Sequence, residues 1–168
     1  EEELANSLMI ADMCEEYSIL TKPIIPQFDC PNGMSQDEYL RHLCREGWKK
    51  KISGKIPIDC QPEYAERIKT ELGVFKDAGL AGYFLILWEV AEFVKRSGYY
   101  CGVGRGSAAG CMTSYLIGLT ALDPIPYDLL FERFYKAGRN TADHVAMPDI
   151  DFHVQASFRD QVINFMKN

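Results

Sequence analysis

The nine residues GYFLILWEV, at positions 82–90, decide the fold class of this chain. The apolar run at 83–87 fits either a buried strand or the start of a helix, and hydrophobic periodicity alone does not distinguish the two. Phe93 and Val94, followed by KRSG, are typical of a helix end. The assignment therefore depends on the segments on either side.

Helical patterns precede this segment. Residues 3–17 place apolar side chains on one face, and SQDE at 35–38 is a capping box that predicts a helix to about Trp48. Between them, TKPIIPQFDCPNG at 21–33 contains three prolines and predicts an extended linker. A further helix is predicted to end before Gly79, with its apolar face formed by Tyr64, Ile68, Leu72 and Phe75.

Two strands are predicted after the segment, YYCGV at 99–103 and VAMPDIDFHV at 145–154. Because residues i and i+2 of a strand face the same way, Asp149 and Asp151 would share one face. Ile150 and Phe152 would then anchor the other face in a core. The remaining elements predicted are a small-residue helix from Ser107 to Ile117, a turn at 122–128, a helix at 129–134 and a last helix capped by Ser157.

Composition describes a globular domain of 168 residues with 47% hydrophobic content. The net charge of −6 is carried by residues 1–20, so the rest of the chain is neutral and a nucleic-acid partner is not excluded. Six cysteines without CxxC spacing predict reduced thiols in a cytoplasmic protein, and no signal peptide or membrane span is visible. Six basic positions could form a local surface for a nucleic-acid partner, although a solvated helix face is the favoured interpretation: Arg41, Arg45, Lys49, Lys50, Lys51 and Lys55.

Asp149 and Asp151 form the first constellation that could carry chemistry. Two carboxylates on one strand face repel each other unless a cation lies between them. Oxygen ligands suit Mg²⁺, and two such ions can serve the attacking and leaving oxygens of a phosphoryl transfer. Asp-x-Asp is also common in loops and edge strands, so a purely structural pair stays open.

The second constellation is GVGRGSAAG at 102–110. Its glycines let the backbone approach a ligand, and a helix beginning near Ser107 would offer free N–H groups to a phosphate, with Arg105 as an additional donor. A tight turn capped by Ser107, without a ligand, is the alternative. The P-loop lysine is missing, and the match to G-x-G-x-x-A lacks the second strand and acid of a dinucleotide fold.

Together, a Gly-Ser phosphate turn and an Asp-x-Asp segment some 40 residues later favour nucleotidyl transfer, by in-line attack on phosphorus. Two other classes stay open. One is a non-catalytic module that binds DNA or a protein partner. The other is a sugar-nucleotide transferase that uses Asp-x-Asp to hold a metal-bound diphosphate, although a Rossmann-like half is missing upstream of Asp149.

Several motifs resemble the α subunit of bacterial DNA polymerase III, the C-family replicative polymerases. GYFLILWEV resembles the family's GYFLIVWD, GVGRGSAAG resembles GPGRGSAAG, DPIPYDLLFERF resembles DPLxYxLLFERF, and MPDID resembles PDxDxDF. The run at 62–84 and the Pro-rich segment are also similar. The close similarity covers roughly residues 62–160, and a looser one covers most of the rest.

The resemblance implies an α+β fold: an incomplete polymerase β-like nucleotidyltransferase palm, a mixed sheet with flanking helices. It divides the chain into a helical tail from a preceding domain (1–25), a linker and helix (26–60) and a partial palm (61–168). It implies template-directed transfer of dNMP to a primer 3′-OH with two Mg²⁺ ions. Primer–template DNA, dNTP and other replisome subunits would be the partners, with no membrane.

The family's motifs also imply roles for individual residues. Asp149 and Asp151 match the first two catalytic, metal-binding aspartates, and Gly106 and Ser107 match the motif that contacts the nucleotide triphosphate. Arg105 and Arg133 occupy motif positions from which arginines reach phosphates.

Three departures from the family pattern stand out. His153 replaces the third carboxylate of PDxDxDF, and we hypothesise that it supports the site. The segment YKAGRNTADHVA at 135–146 is longer than the family's usual LNPERVS, which indicates a divergent branch, and Val103 replaces a proline. The family's third catalytic aspartate would lie past residue 168, so we expect that this chain alone does not polymerise.

Overall fold

The computed structural model describes residues 2–15, 17, 27–138 and 146–167. Short 3₁₀ turns at Pro31–Gly33, Gly106–Gly110, Ile125–Tyr127 and Ala156–Phe158 separate or extend the α-helices. These helices are α1 (Glu2–Asp12), α2 (Gln36–Lys51), α3 (Gln61–Ala78), α4 (Ala81–Arg96), α5 (Met112–Ile117), α6 (Phe131–Phe134) and α7 (Arg159–Lys167).

The predicted α+β palm with a mixed sheet is wrong, since the described part of the chain is helical and contains no strand. The ambiguous segment 82–90 lies inside α4. It continues through Glu89 into further apolar positions at helical spacing, so that Phe84, Ala91 and Val94 are all fully buried. YYCGV and the described part of VAMPDIDFHV are irregular and form no β-ladder.

Two helix boundaries predicted from local signals are confirmed, the start of α2 and the end of α3. Ser35 caps α2: its hydroxyl accepts from the Glu38 amide, and the Glu38 carboxylate accepts from the Ser35 amide. Gly79 ends α3 with φ of 66°, a left-handed conformation that glycine adopts without steric cost. Ser157, in contrast, lies within the 3₁₀ turn that precedes α7, so its predicted capping role is wrong.

An aromatic cluster fills the main core between α3, α4 and α6. The rings of Phe75 and Phe84 lie 4.3 Å apart, and Phe131 packs edge-on against Phe75 at 5.5 Å. Helix α2 lies so close to α5 at Gly47 that a Cβ there would collide with the Leu116 carbonyl. This core holds the loop between α4 and α5 against α3.

A smaller cluster joins α4 to α7. Val90 and Val94 pack against Phe158 and Val162, and the extended segment before α7 contributes Phe152 to both clusters. The acidic segment is therefore attached to the core by its apolar side chains.

The helix predicted at 3–17 is present but ends at Asp12, and its described side chains are exposed, Leu8 by 66%. Residues 21–26 of the predicted linker and residues 139–145 of the long polar segment lie outside the described residues. The basic positions of α2 are mostly exposed, as predicted, with the exception of Lys51. This side chain is half-buried and donates to the Tyr115 carbonyl.

All six cysteines are free thiols, and they lie within the described residues. No helix in the described ranges combines the length and apolar character needed to cross a membrane.

Candidate functional site

The glycine-rich loop and the acidic segment lie side by side. The Gly102 amide donates to the His153 carbonyl at 2.9 Å. A Cβ at Gly102 would stand 2.7 Å from the Cβ of His153, so only glycine allows this approach. The structure thus brings together two motifs that are about 50 residues apart in the sequence.

The loop is also held from its other side. The Ala121 amide donates to the Val103 carbonyl at 2.7 Å. Gly104 has φ of 129°, and a Cβ there would stand 3.0 Å from the methyl group of Thr120. The loop is therefore fixed between the acidic segment and the residues that follow α5.

The acidic segment shows the alternation expected of an extended chain. Asp149, Asp151 and His153 are exposed, whereas Ile150 and Phe152 are half-buried against the main core. The predicted separation of polar and apolar side chains is confirmed, although the segment belongs to no sheet.

Arg105 lies between two side chains of the acidic segment. Its Nε is 3.9 Å from Oδ2 of Asp151. Its Nη1 is 3.4 Å from Nε2 of His153, which accepts a hydrogen bond in the tautomer protonated at Nδ1. A Cβ at Gly106 would lie 3.8 Å from the same Asp151 oxygen. Loop and carboxylate thus meet at a surface open to solvent.

Tyr83 of α4 supports the acidic segment next to Asp149. Its hydroxyl donates to the Pro148 carbonyl at 2.8 Å. Burial raises the pKa of this hydroxyl, and the negative charge of Asp149 adds to the rise. The phenol is therefore neutral and remains a donor at physiological pH.

Ser107 and Arg133 line one cavity of about 340 Å³. One wall is the 3₁₀ turn Gly106–Gly110, and the other contains Leu129 and Leu130 together with Arg133. Ser107 and Arg133 are both exposed. The structure thereby unites the predicted Gly-Ser motif with the second of the two predicted arginines.

The predicted helix beginning near Ser107 is wrong. That residue lies in the 3₁₀ turn, and α5 begins only at Met112. The first amides of α5 are not free for a ligand, because a carboxylate from α3 occupies them. Glu71 accepts from the Met112 amide at 2.9 Å and from the Thr113 amide at 2.7 Å.

Glu71 is fully buried and its carboxylate has a complete set of partners. Besides the two amides, it accepts from the Thr113 hydroxyl at 2.9 Å, the Cys111 thiol at 3.4 Å and Nε of Arg67 at 2.8 Å. Burial raises the pKa of the Cys111 thiol well above its usual value, with a further contribution from Glu71, so the thiol stays a donor. The network fixes α5 and the turn before it on α3.

Arg67 and Glu71 are not among the residues predicted from the sequence. A signal was present: Glu71 falls on the apolar face of α3, between Ile68 and Phe75 at helical spacing. A carboxylate in that position needs buried donors. The pattern does not say which distant backbone groups supply them.

In the described part of the chain, no group of three or more histidine, cysteine or acidic side chains is arranged to hold a metal ion. Asp149 and Asp151 supply hard oxygen donors that are exposed and open to further ligands. Such a partial set fits Mg²⁺, which binds through one or two carboxylates together with water and substrate phosphates.

The fold and the site define a helical module that presents a glycine-rich loop beside an acidic segment. The family model described as bacterial DNA polymerase III alpha NTPase domain matches residues 38–168. The chain belongs to this family.

The relatives it matches are DNA polymerase III alpha subunits. The protein of Escherichia coli strain K12 is 40% identical over 168 residues, covering 96% of this chain and 14% of the relative. Those of Halalkalibacterium halodurans and Bacillus subtilis are each 37% identical over 166 residues, covering 99% of this chain and 14% of the relative. The chain thus spans about a seventh of the length of these relatives.

Proposed function

We propose that this chain forms part of the catalytic region of a replicative DNA polymerase, an enzyme that transfers dNMP to a primer 3′-OH under template direction. The observation that carries the proposal is the approach of Arg105 to Asp151, with Nε 3.9 Å from Oδ2, beside Gly106, where an added Cβ would stand 3.8 Å from the same oxygen. Phosphate-binding groups and carboxylates must lie together for nucleotidyl transfer, because the metal links the two.

In this proposal the cavity beside Ser107 takes the triphosphate of the incoming nucleotide. Gly106 and Ser107 line one side of the cavity, and Arg133 on the other side would supply positive charge. Arg105, on the edge towards Asp151, would contact a phosphate held between loop and carboxylate.

Asp149 and Asp151 would hold Mg²⁺, and two ions would stabilise charge on the attacking and leaving oxygens. Both side chains are exposed, so waters and phosphate oxygens can complete the coordination. The Tyr83 hydrogen bond to the Pro148 carbonyl orients the backbone next to the first of them.

His153 would support the site through its contact with Arg105, because this contact orients the guanidinium. Exchanging His153 for Asp in the intact enzyme should change the metal affinity or the rate of incorporation. Unchanged values for both would contradict this role.

Primer–template DNA and dNTP would be the substrates, and other replisome subunits would bind through regions of the enzyme outside this chain. With this role we expect a cytoplasmic location, since bacterial DNA is replicated there. The expectation that residues 1–168 alone do not polymerise would be contradicted by template-dependent incorporation with the isolated chain.

The test is Asp149→Asn in the intact polypeptide that carries this sequence. Primer extension should be abolished while binding to primer–template DNA stays within about twofold, because the change removes one charge from an exposed position. Asp59→Asn, at another exposed aspartate, is the matched control and should extend primers normally. If the wild-type polypeptide binds DNA and incorporates nothing, a non-catalytic binding module would be favoured instead.

A further inference from the structure

We propose that Arg67 is a positioning residue that sets the spacing between the two walls of the cavity beside Ser107. This inference rests on the proposed function, because it concerns how that cavity holds the phosphates of a nucleotide. Arg67 belongs to α3 and is not one of the residues that line the cavity.

One nitrogen of Arg67 joins the two walls from behind. Its Nη2 donates to the Gly110 carbonyl at 2.6 Å and to the Leu129 carbonyl at 2.8 Å. Gly110 ends the turn that carries Ser107, and Leu129 lies four residues before Arg133. A shift of this nitrogen therefore moves the walls relative to each other.

The guanidinium is itself held on two sides. Its Nε donates to Glu71 at 2.8 Å, and that carboxylate is fully buried. Its Cζ lies 5.9 Å from the centre of the Phe131 ring, which gives a cation–π contact. Since only 20% of the Arg67 side chain is exposed, water does not compete strongly for its donors.

The two walls are already close where Arg67 joins them. A Cβ at Gly110 would stand 3.1 Å from the Leu130 carbonyl, tighter than an ordinary contact. The absence of a side chain at Gly110 and the hydrogen bonds from Arg67 Nη2 to both walls therefore keep the cavity narrow at this end. Lysine cannot reproduce the arrangement, because its single ammonium does not supply the fixed fork that contacts Glu71 and both carbonyls together.

A positioning role predicts a specific kinetic pattern. Arg67 does not touch the reacting atoms, so a displaced wall weakens ground-state and transition-state binding of the phosphates alike. Such a loss of uniform binding raises KM and leaves kcat nearly unchanged. A purely structural role would instead lower the folded fraction, which reduces the apparent kcat without changing KM.

The experiment is steady-state primer extension by the intact polypeptide with Arg67→Lys, at varied dNTP concentration. We expect KM for the nucleotide to rise about tenfold, the size of a modest loss of binding, with kcat within about twofold. Arg41→Lys, an exposed arginine of α2, is the control and should leave both constants unchanged.

Gly110→Ala tests the same spacing by a change in the wall that carries Ser107. This test does not depend on whether the Arg67 variant folds. Its methyl group would press on the Leu130 carbonyl, and KM should rise again. Unchanged KM in either folded variant, or a fall in kcat alone, would overturn the proposal while leaving the proposed function intact. A wild-type polypeptide that incorporates no nucleotide would refute the proposed function and this inference with it.

Discussion

Two arginine–carboxylate contacts in this molecule have similar chemistry and opposite surroundings. Arg67 and Glu71 are 2.8 Å apart, and the carboxylate is fully buried. Arg105 and Asp151 are 3.9 Å apart, and their side chains are 66% and 62% exposed. The buried pair lies behind the glycine-rich loop, and the exposed pair lies in front of it.

The difference indicates a division between scaffold and site. A buried pair must satisfy all its hydrogen bonds within the protein, so its members cannot exchange partners without a large loss of stability. An exposed pair contributes little, because water and salt screen it. The contact between Arg105 and Asp151 can therefore be given up at little cost, which leaves the arginine available to a phosphate and the carboxylate available to a metal ion.

The largest expected effect is on the buried side. Glu71→Gln places an amide group among donors and leaves Arg67 without its charged partner, so we expect a loss of about 3–5 kcal/mol in the free energy of unfolding. Chemical denaturation of the chain, followed by circular dichroism, measures this. Glu66→Gln in the same helix is the control, with a change within about 0.5 kcal/mol because both members of its ion pair with Lys69 are exposed. A loss below about 1 kcal/mol for Glu71→Gln would remove the contrast between the two pairs.

The second largest loss of stability is expected where the glycine-rich loop meets the acidic segment. Gly102→Ala would force a methyl group to within 2.7 Å of the His153 Cβ, and we expect a destabilisation of about 1–3 kcal/mol from this overpacking. Hydrogen exchange at the Gly102 amide should accelerate at the same time. Gly73→Ala in α3, where a Cβ meets nothing within 4 Å, should be neutral or stabilising. Equal stability of the two variants would show that the segments separate without cost.

Tyr83→Phe removes one hydrogen bond between α4 and the acidic segment. We expect a loss of about 1 kcal/mol, the usual net value of such a bond. Tyr127→Phe, at an exposed tyrosine, is the matched control and should not change the free energy of unfolding. If both variants unfold alike, the Pro148 carbonyl finds an equivalent partner in water.

The smallest expected effect is on the exposed side. Arg105→Gln should change the free energy of unfolding by no more than about 0.5 kcal/mol, because the pair is exposed and loosely spaced. Primer extension by the intact polypeptide should nevertheless slow, since in the proposed function Arg105 donates to a phosphate. A destabilisation comparable to that of Glu71→Gln would mean that both pairs belong to the scaffold.

Local chemistry in the sequence predicted the helices well. The capping box at Ser35 and the helix end before Gly79 depend on neighbours within a few residues, and both are confirmed. The sheet implied by the family resemblance is wrong, because the described residues of the two predicted strands, 99–103 and 145–154, form no β-ladder. At 82–90, where the apolar run left strand and helix open, burial on one face of α4 decided for the helix at positions such as Phe84 and Val94.

The candidate site divides in the same way. The motifs around Ser107 and Asp151 are visible as sequence patterns, and the alternation at 149–153 follows from extended geometry alone. Arg67 and Glu71 were not predicted as part of the site, because the carbonyls and amides they bind lie about 40–60 residues away in the chain.

The sequence by itself determined the start of α2, the end of α3, the polar and apolar sides of the acidic segment, and the family to which the chain belongs. The tertiary structure alone decided that the acidic segment lies beside the glycine-rich loop without forming a sheet with it. It also decided that the buried carboxylate of Glu71 binds the amides at the N-terminus of α5. The physical reason is range. Caps and periodicity act between near neighbours, whereas burying a charge requires donors that only the folded chain brings together.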